Sequence, residues 1–264
     1  PDAQYEEALR QFVQALLDPR EGNLFLPDFL QLERKVARFG ALNGLSQTLC
    51  KLTAPGVPDI YQGNELWDFS LVDPDNRRPV DYARRRTLLG EIHQWAGLTQ
   101  AELAAKLRAL AASPQDDRAK LFVTSRTLEF RRAHEALFRD GEYLPLRTIG
   151  PRAAHLCAYA RRRRGELAVV LIPRLYSRLL AGSPEPPLGR DTWQDTGVEL
   201  PAKLASAALE NVFDGVRVAV RELESRRVLL VAEALAAFPV ALLTGAMDAA
   251  ATASINVRTE EGQP

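Results

Sequence analysis

Side chains that bind metals or carry redox chemistry are scarce. Cys50 and Cys157 are the only cysteines, and His93, His134 and His155 the only histidines, in 264 residues. The cysteines stand far apart, without His or Cys neighbours at metal-ligand spacing, which argues against a zinc site and against a disulfide framework. An excess charge of either sign is also missing. The 34 basic residues meet 34 acidic ones, so no global field draws the chain to nucleic acid or to an anionic membrane, and a neutral or locally recognised partner is expected. A sugar fits that balance. No apolar run approaches the roughly 20 residues that span a bilayer, and no signal peptide opens the chain, so the cytoplasm is the expected compartment. Gly-rich phosphate loops, a Ser-centred nucleophile elbow and a metal-binding His pair are all lacking. The chain opens on Pro1 and not on Met, which reads as a fragment or a processed product.

What is present begins with helices. Asp2 can cap a helix whose apolar residues Tyr5, Leu9, Phe12, Val13, Leu16 and Leu17 recur at helical spacing until Asp18-Pro19. A second helix is expected from Pro27, with a stripe from Phe29 to Leu52; Gly40 and Gly44 within it mark either close packing or a break. Gly56 to Tyr61 reads as a short buried strand, followed by a long polar loop. Asp81 can cap the next helix, Thr99-Gln100-Ala101-Glu102 is a capping-box pattern, and Pro114 to Asp140 reads as one long helix ending at Gly141. From there the period changes to two. Tyr143 to Arg147, His155 to Arg161 and Leu167 to Ile172 read as strands, with Arg161 to Glu166 as a solvated hairpin turn and Pro173 as a stop. Asp214-Gly215 is the strongest hairpin signal, Val228 to Val231 and Val240 to Leu243 complete a β region, and Gly182 to Arg190 reads as an exposed loop. Thr244 to Pro264 shows no periodic core. The three histidines, isolated from carboxylates in sequence, read as surface or packing residues.

Chemistry concentrates between Pro55 and Tyr82, in PGVPDIYQGNELWDFSLVDPDNRRPVDY. Acid–base or nucleophilic work on a sugar needs two carboxylates facing each other, about 5 Å apart for a retaining mechanism. Asp59, Glu65, Asp68, Asp73 and Asp75 supply the residue type without fixing the geometry. Asp73, Asp75, Arg77 and Arg78 can brace the loop as an ion-pair network or touch a ligand, since an arginine fork beside a carboxylate and an amide suits vicinal hydroxyls. Tyr61 and Trp67 can stack on a sugar face or simply pack. Gln62 and Glu65 are placed for direct or water-bridged contact.

This stretch closely resembles the eighth-strand region of the maltooligosyl trehalose synthase family, within the α-amylase superfamily. The flanking segments QYEEAL, FVQALL, GALNGLSQTLCKLTAPG, GEYLPL, TWQDT and PVALL agree with it, so the resemblance spans nearly the whole chain. It implies an α/β fold: residues 1–140 form the C-terminal part of a (β/α)8 TIM barrel, with the last strand and its surrounding helices, and residues 141–264 an all-β sandwich-like domain. The implied reaction is intramolecular transglucosylation, converting the reducing-end α-1,4 bond of a maltooligosaccharide or α-1,4-glucan into an α,α-1,1 linkage, with neither metal nor organic cofactor. The superfamily's nucleophile, acid/base and third carboxylate are expected upstream of Pro1. By the D-P-x-N-R pattern Asp73 and Arg77 are the implied grip on a glucosyl unit, with Asp75, Asn76 and Arg78 bracing it and Gln62, Glu65, Trp67 and Tyr61 near the sugar. A trehalose-releasing hydrolase is the implied metabolic partner. A non-catalytic glucan-binding or structural module, or part of an α-glucan hydrolase, is the competing reading.

Overall fold

The computed structural model describes residues 2–71, 77–204 and 208–246, without the side chains at 203 and 246; most of the tail from Thr244 to Pro264 lies outside them. Two compact units divide inside one helix, Pro1–Gly40 and Ala41–Pro264.

In the first unit, α1 (Ala3–Leu17) starts where the Asp2 carboxylate accepts the N–H groups of Gln4 and Tyr5 at 3.1 Å each. Those amides have no partner within the helix, so the cap satisfies them. Asn23 makes the following corner. Its side-chain amide donates to the carbonyls of Leu16 (2.9 Å) and Asp18 (2.7 Å), and its Oδ1 accepts from Phe25 and Leu26 N–H at 3.1 Å each. One side chain therefore closes α1 and opens α2 (Phe25–Thr53), two residues before the expected start at Pro27.

In the second unit α2 continues with Leu42, Leu45, Leu49 and Leu52 fully buried. Asp81 caps α3 (Tyr82–Gln94) by accepting from Arg84 N–H at 2.9 Å, and Thr99 and Glu102 close a capping box on α4 (Gln100–Ala112). The single helix expected over 114–140 is two, α5 (Asp117–Ala133) and α6 (Glu135–Asp140). His134 breaks it at φ −118°, ψ 39°, where its ring packs on Phe130 and its Nδ1 lies 2.7 Å from Glu166 Oε1. This histidine, isolated in sequence, is thus paired with a carboxylate by the fold. Gly141 follows because a Cβ there would stand 2.0 Å from the Leu137 carbonyl oxygen.

The strands then follow: β1 (Glu142–Pro145), β2 (Arg147–Ile149), β3 (Leu156–Arg163), β4 (Glu166–Pro173), β5 (Gly197–Glu199), β6 (Ala208–Asn211), β7 (Arg217–Leu223), β8 (Arg226–Leu230) and β9 (Ala241–Ala246). All pairs are antiparallel, in the order β1-β3-β4-β9-β6-β7-β8-β5-β2. The strand expected over Tyr143–Arg147 splits at Leu146, so one extended segment supplies both ends of that order and the sheet nearly closes. β7 also serves two partners: Arg217–Ala219 pair with β6 and Val220–Leu223 with β8. The β region is not purely β, since α7 (Tyr176–Leu180), α8 (Gly189–Trp193) and α9 (Val231–Ala234) interrupt it. The expected turns at Arg164-Gly165 and Asp214-Gly215 form, with Arg164 at φ 48° and Gly215 at φ 69°.

Among the described residues no strands pair in parallel, and the strand expected over Gly56–Tyr61 is absent. Pro55 and Pro58 offer no N–H, no strand lies beside this segment, and Val57 is 95% exposed. The described fold is therefore helices packed on an antiparallel sheet. Their shared core joins Leu45, Leu49, Phe122 and Phe138 to Tyr159, Val170, Phe213 and Leu242.

Polar pins cross the same boundary: Thr53 Oγ1 lies 2.6 Å from the Tyr159 hydroxyl, and Ser46 Oγ donates to the Pro173 carbonyl at 2.8 Å. Arg161 corrects the reading of Arg161–Glu166 as a solvated turn. It is buried and donates to the carbonyls of Thr53 (3.2 Å), Phe138 (2.7 Å) and Gly141 (3.0 Å). A cation at helix C-termini meets carbonyls that have no partner in the helix and the negative end of the helix dipole. Among the described residues no helix is long and apolar enough to cross a membrane.

Candidate functional site

The loop after α2 is irregular because its residues require it. Gly56 (φ 108°) and Gly63 (φ 91°) adopt backbone that other residues rarely enter, and the prolines remove donors. It is nonetheless fixed on three helices. Trp67 presses an edge of its ring against α2 where a Cβ on Gly44 would stand 2.5 Å from it, so Gly44 marks close packing. From α5, Lys120 Nζ donates to Asn64 Oδ1 and to the Leu66 carbonyl, both at 2.9 Å, and stands 5.2 Å from the Trp67 ring centroid. A cation over an indole face is attractive, more so where water is excluded.

Asp117, the first residue of α5, bridges the loop to α3. Its Oδ1 accepts the Trp67 N–H at 3.1 Å and its Oδ2 accepts from Arg84 at 2.6 Å. From α3, Arg85 donates to Glu65 Oε2 at 2.9 Å, to the Asp81 carbonyl at 3.1 Å and to the Gly63 carbonyl. With both side chains of the Glu65–Arg85 pair largely shielded, the guanidinium ties the loop's glycine turn to the start of α3.

The charges here are tuned by these contacts. Burial pushes the Lys120 ammonium down to about 8, helped by Lys51 and opposed by Asp68, Glu65 and Asp117. The Ser70 hydroxyl and N–H, at 2.6 and 2.9 Å, hold the Asp68 carboxyl below the usual carboxylate range. A carboxylate held low is an acceptor and not a proton donor near neutrality. Among the described residues no three His, Cys, Asp or Glu side chains gather as a metal site would require.

Of the residues singled out in the sequence, Glu65 and Trp67 are brought together with Lys120, Asp117 and Arg85. Tyr61 and Gln62 lie exposed on the same loop, and Arg77 and Arg78 are exposed just before α3. Asp73, Asp75 and Asn76 lie outside the described residues. Sequence reasoning missed Lys120, Asp117 and Arg85. The available signal was Lys120 itself, a lone cation in the apolar run Ala119–Val123.

No family model matches the chain. Proteins from two strains of Mycobacterium tuberculosis, assigned as maltooligosyl trehalose synthases, are 42% identical to it over 137 residues, covering 52% of this chain and 14% of theirs. The solved maltooligosyltrehalose synthase from Arthrobacter ramosus superposes with a TM-score of 0.67 at 33% identity, covering 92% of this chain and 27% of that one. Another solved maltooligosyl trehalose synthase, at 21% identity and a TM-score of 0.61, shares the fold. The helices and nearly closed sheet thus recur together inside a class of much longer chains. That class is maltooligosyl trehalose synthase, and this chain is similar to its C-terminal region. The chain spans about a seventh of the curated relatives it matches.

Proposed function

We propose that this chain supplies the glucan-binding wall of a maltooligosyl trehalose synthase, a glucosylmutase whose catalytic carboxylates reside in other parts of a longer polypeptide. The observation that supports this reading is the set of contacts that hold the first part of the loop. Residues 63–67, within the stretch that resembles the family's sugar-gripping segment, are tied to α3 by Arg85 and to α5 by Lys120 and Asp117, and a preset wall orients a substrate with little ordering cost on binding. In this reading Asp73 and Arg77 grip a glucosyl unit, and Asp75, Asn76 and Arg78 brace them. Tyr61, Gln62, Glu65 and Trp67 line the approach. Residues 1–140 belong with the last strand and helices of a (β/α)8 barrel, residues 141–264 form the β domain, and the enzyme works in the cytoplasm beside a trehalose-releasing hydrolase.

The reaction conserves mass. A carboxylate attacks C1 of the penultimate glucosyl unit, the C1–O4 bond breaks, and an acid protonates the departing glucose. The glucose turns, its anomeric hydroxyl attacks the same C1 and displaces the carboxylate, and the acid/base group recovers its proton from that hydroxyl. Water must be excluded for rejoining to outrun hydrolysis, and a loop folded over the site serves that end.

The test is incubation of the complete polypeptide carrying this chain with maltopentaose, following reducing ends and product mass. Loss of reducing ends at unchanged mass is expected; shorter reducing products would show a hydrolase. Arg77→Ala is expected to raise KM about tenfold, the loss of one charged hydrogen-bonding contact. An unchanged KM removes Arg77 from the site.

A further inference from the structure

A cleft of about 570 Å³ lies away from the loop, between the end of α3 with its following turn (Trp95–Gly97), the start of α4, one face of α5 and the β6–β7 turn. Its size falls within the range that holds small ligands. The floor is apolar: half-buried Leu98, Leu103 and Val212 line it, backed by the buried rings of Trp95, Phe122 and Phe213 with centroids 5.6 and 5.7 Å apart. Donors and acceptors both line the cleft, among them Gln100, Arg126, Glu129, Glu210 and Asp214. Gln100 Nε2 stands 3.8 Å from where a Cβ on Gly215 would be, so the amide and the turn flank the opening. On α5, Arg126 donates to Glu129 at 3.0 Å and to the Val212 carbonyl at 3.3 Å, while His93 lies 3.7 Å from the other Glu129 oxygen.

Asp214 is the informative member. It is 6% exposed, and its carboxylate accepts the Val216 N–H at 2.9 Å. Burial raises its pKa, opposed by the backbone N–H groups of Val216 and of Asp214 itself. A buried carboxylate of this kind gains from a donor that arrives with a ligand.

These groups select among ligand classes. The carboxylates Glu129, Glu210 and Asp214 outnumber Arg126, which disfavours an anion. An organic cation, all donor, cannot accept from the Gln100 amide and finds Glu129 already engaged by Arg126. A hydroxyl both donates and accepts, and a sugar ring adds an apolar face for the floor. We propose that this cleft is a second carbohydrate site, binding a short neutral α-1,4-glucan apart from the Pro55–Tyr82 loop. The choice of α-1,4-glucan among neutral sugars rests on the proposed function; the cleft and its hydroxyl-matching rim do not. α3 and α5 serve both places, through Arg85 and Lys120 toward the loop and His93 and Glu129 toward the cleft.

The test is an amide chemical-shift titration, by TROSY on deuterated protein, of the complete polypeptide carrying this chain with maltotriose, with putrescine as the cationic comparison. Shifts at residues 96–100 and 211–215 are expected, with a Kd on the order of 1 mM. Gln100→Ala, at an exposed position, should weaken binding about fivefold, the loss of one neutral hydrogen bond. Ala96→Arg, which fills the mouth and removes no polar group, should abolish the cleft response while the remaining spectrum stays folded. The response should persist in Arg77→Ala. No maltotriose shift at the cleft, or a shift with putrescine alone, overturns the inference. A response confined to 61–71 does so too, and leaves the loop reading standing. A cleft response with a silent loop supports the cleft and counts against the loop.

Discussion

The two halves of α2 carry the same kind of stripe and meet opposite fates. Phe29, Leu32 and Val36 are 42, 60 and 61% exposed, whereas Leu42, Leu45, Leu49 and Leu52 are at 0%. Helical periodicity is therefore a demand for a partner surface, and a sequence states the demand without saying whether the same chain meets it. From Ala41 onward helices and sheet meet it. On α1 the apolar side chains Tyr5, Leu9, Phe12, Val13 and Leu17 are likewise left with 43 to 65% exposure. Exposed stripes of this extent mark interaction surfaces, and under the proposed function the rest of the longer polypeptide covers them.

The largest effect should separate the halves directly. Leu49→Ala removes a side chain with no exposed surface and should cost about 2–5 kcal/mol in urea unfolding, while Leu32→Ala should stay within about 0.5 kcal/mol. Equal losses would show that the first half is packed in solution. The glycines give a contrast of sign. Gly44→Ala pushes a methyl against the Trp67 ring and should destabilise by about 1–3 kcal/mol. Gly40→Ala meets nothing within 4 Å and should stabilise by about 0.5–1 kcal/mol through helix propensity alone.

A pH-dependent effect concerns the loop seated on the buried half. Lys120 titrates at about 8 in the folded chain against an ordinary 10.5. Between those values the unfolded chain holds more protons, so stability rises with pH across that window and the group's penalty is full below it. Relative to Lys120→Met, the wild-type chain should gain on the order of 1 kcal/mol from pH 7.5 to 10, read from urea midpoints. A flat difference would mean that Lys120 is solvated and does not clamp the loop.

Local signals were legible wherever the cause is local. Asp2, Asp81, the Thr99–Glu102 box and the Asp214-Gly215 turn act within a few residues of themselves, and each forms as its pattern implies. Errors arose where distant groups decide. His134 breaks a helix beside Glu166, and Arg161 leaves a basic run to cap α2 and α6. The segment 56–61 has strand composition but no neighbouring strand, and backbone pairing cannot be read from one segment. Gly197–Glu199 is only three residues long and borrows its order from β8 and β2. At the candidate site the loop was visible from its residue types. Its clamp was not, because Lys120 and Asp117 lie on α5, separated from the loop by two helices, and Arg85 stands in a run of three arginines that gives no sign which one turns back.

The strand order has a consequence for synthesis. β9, the last strand in the described chain, sits between β4 and β6 and joins the two sides of the sheet. Until Ala241–Ala246 leave the ribosome, β4 and β6 have unpaired edges, and the nascent chain carries two sticky half-sheets. Chaperones that shield β edges should therefore engage this chain late in translation, and stop codons just before Ala241 should yield aggregates and not a shortened fold.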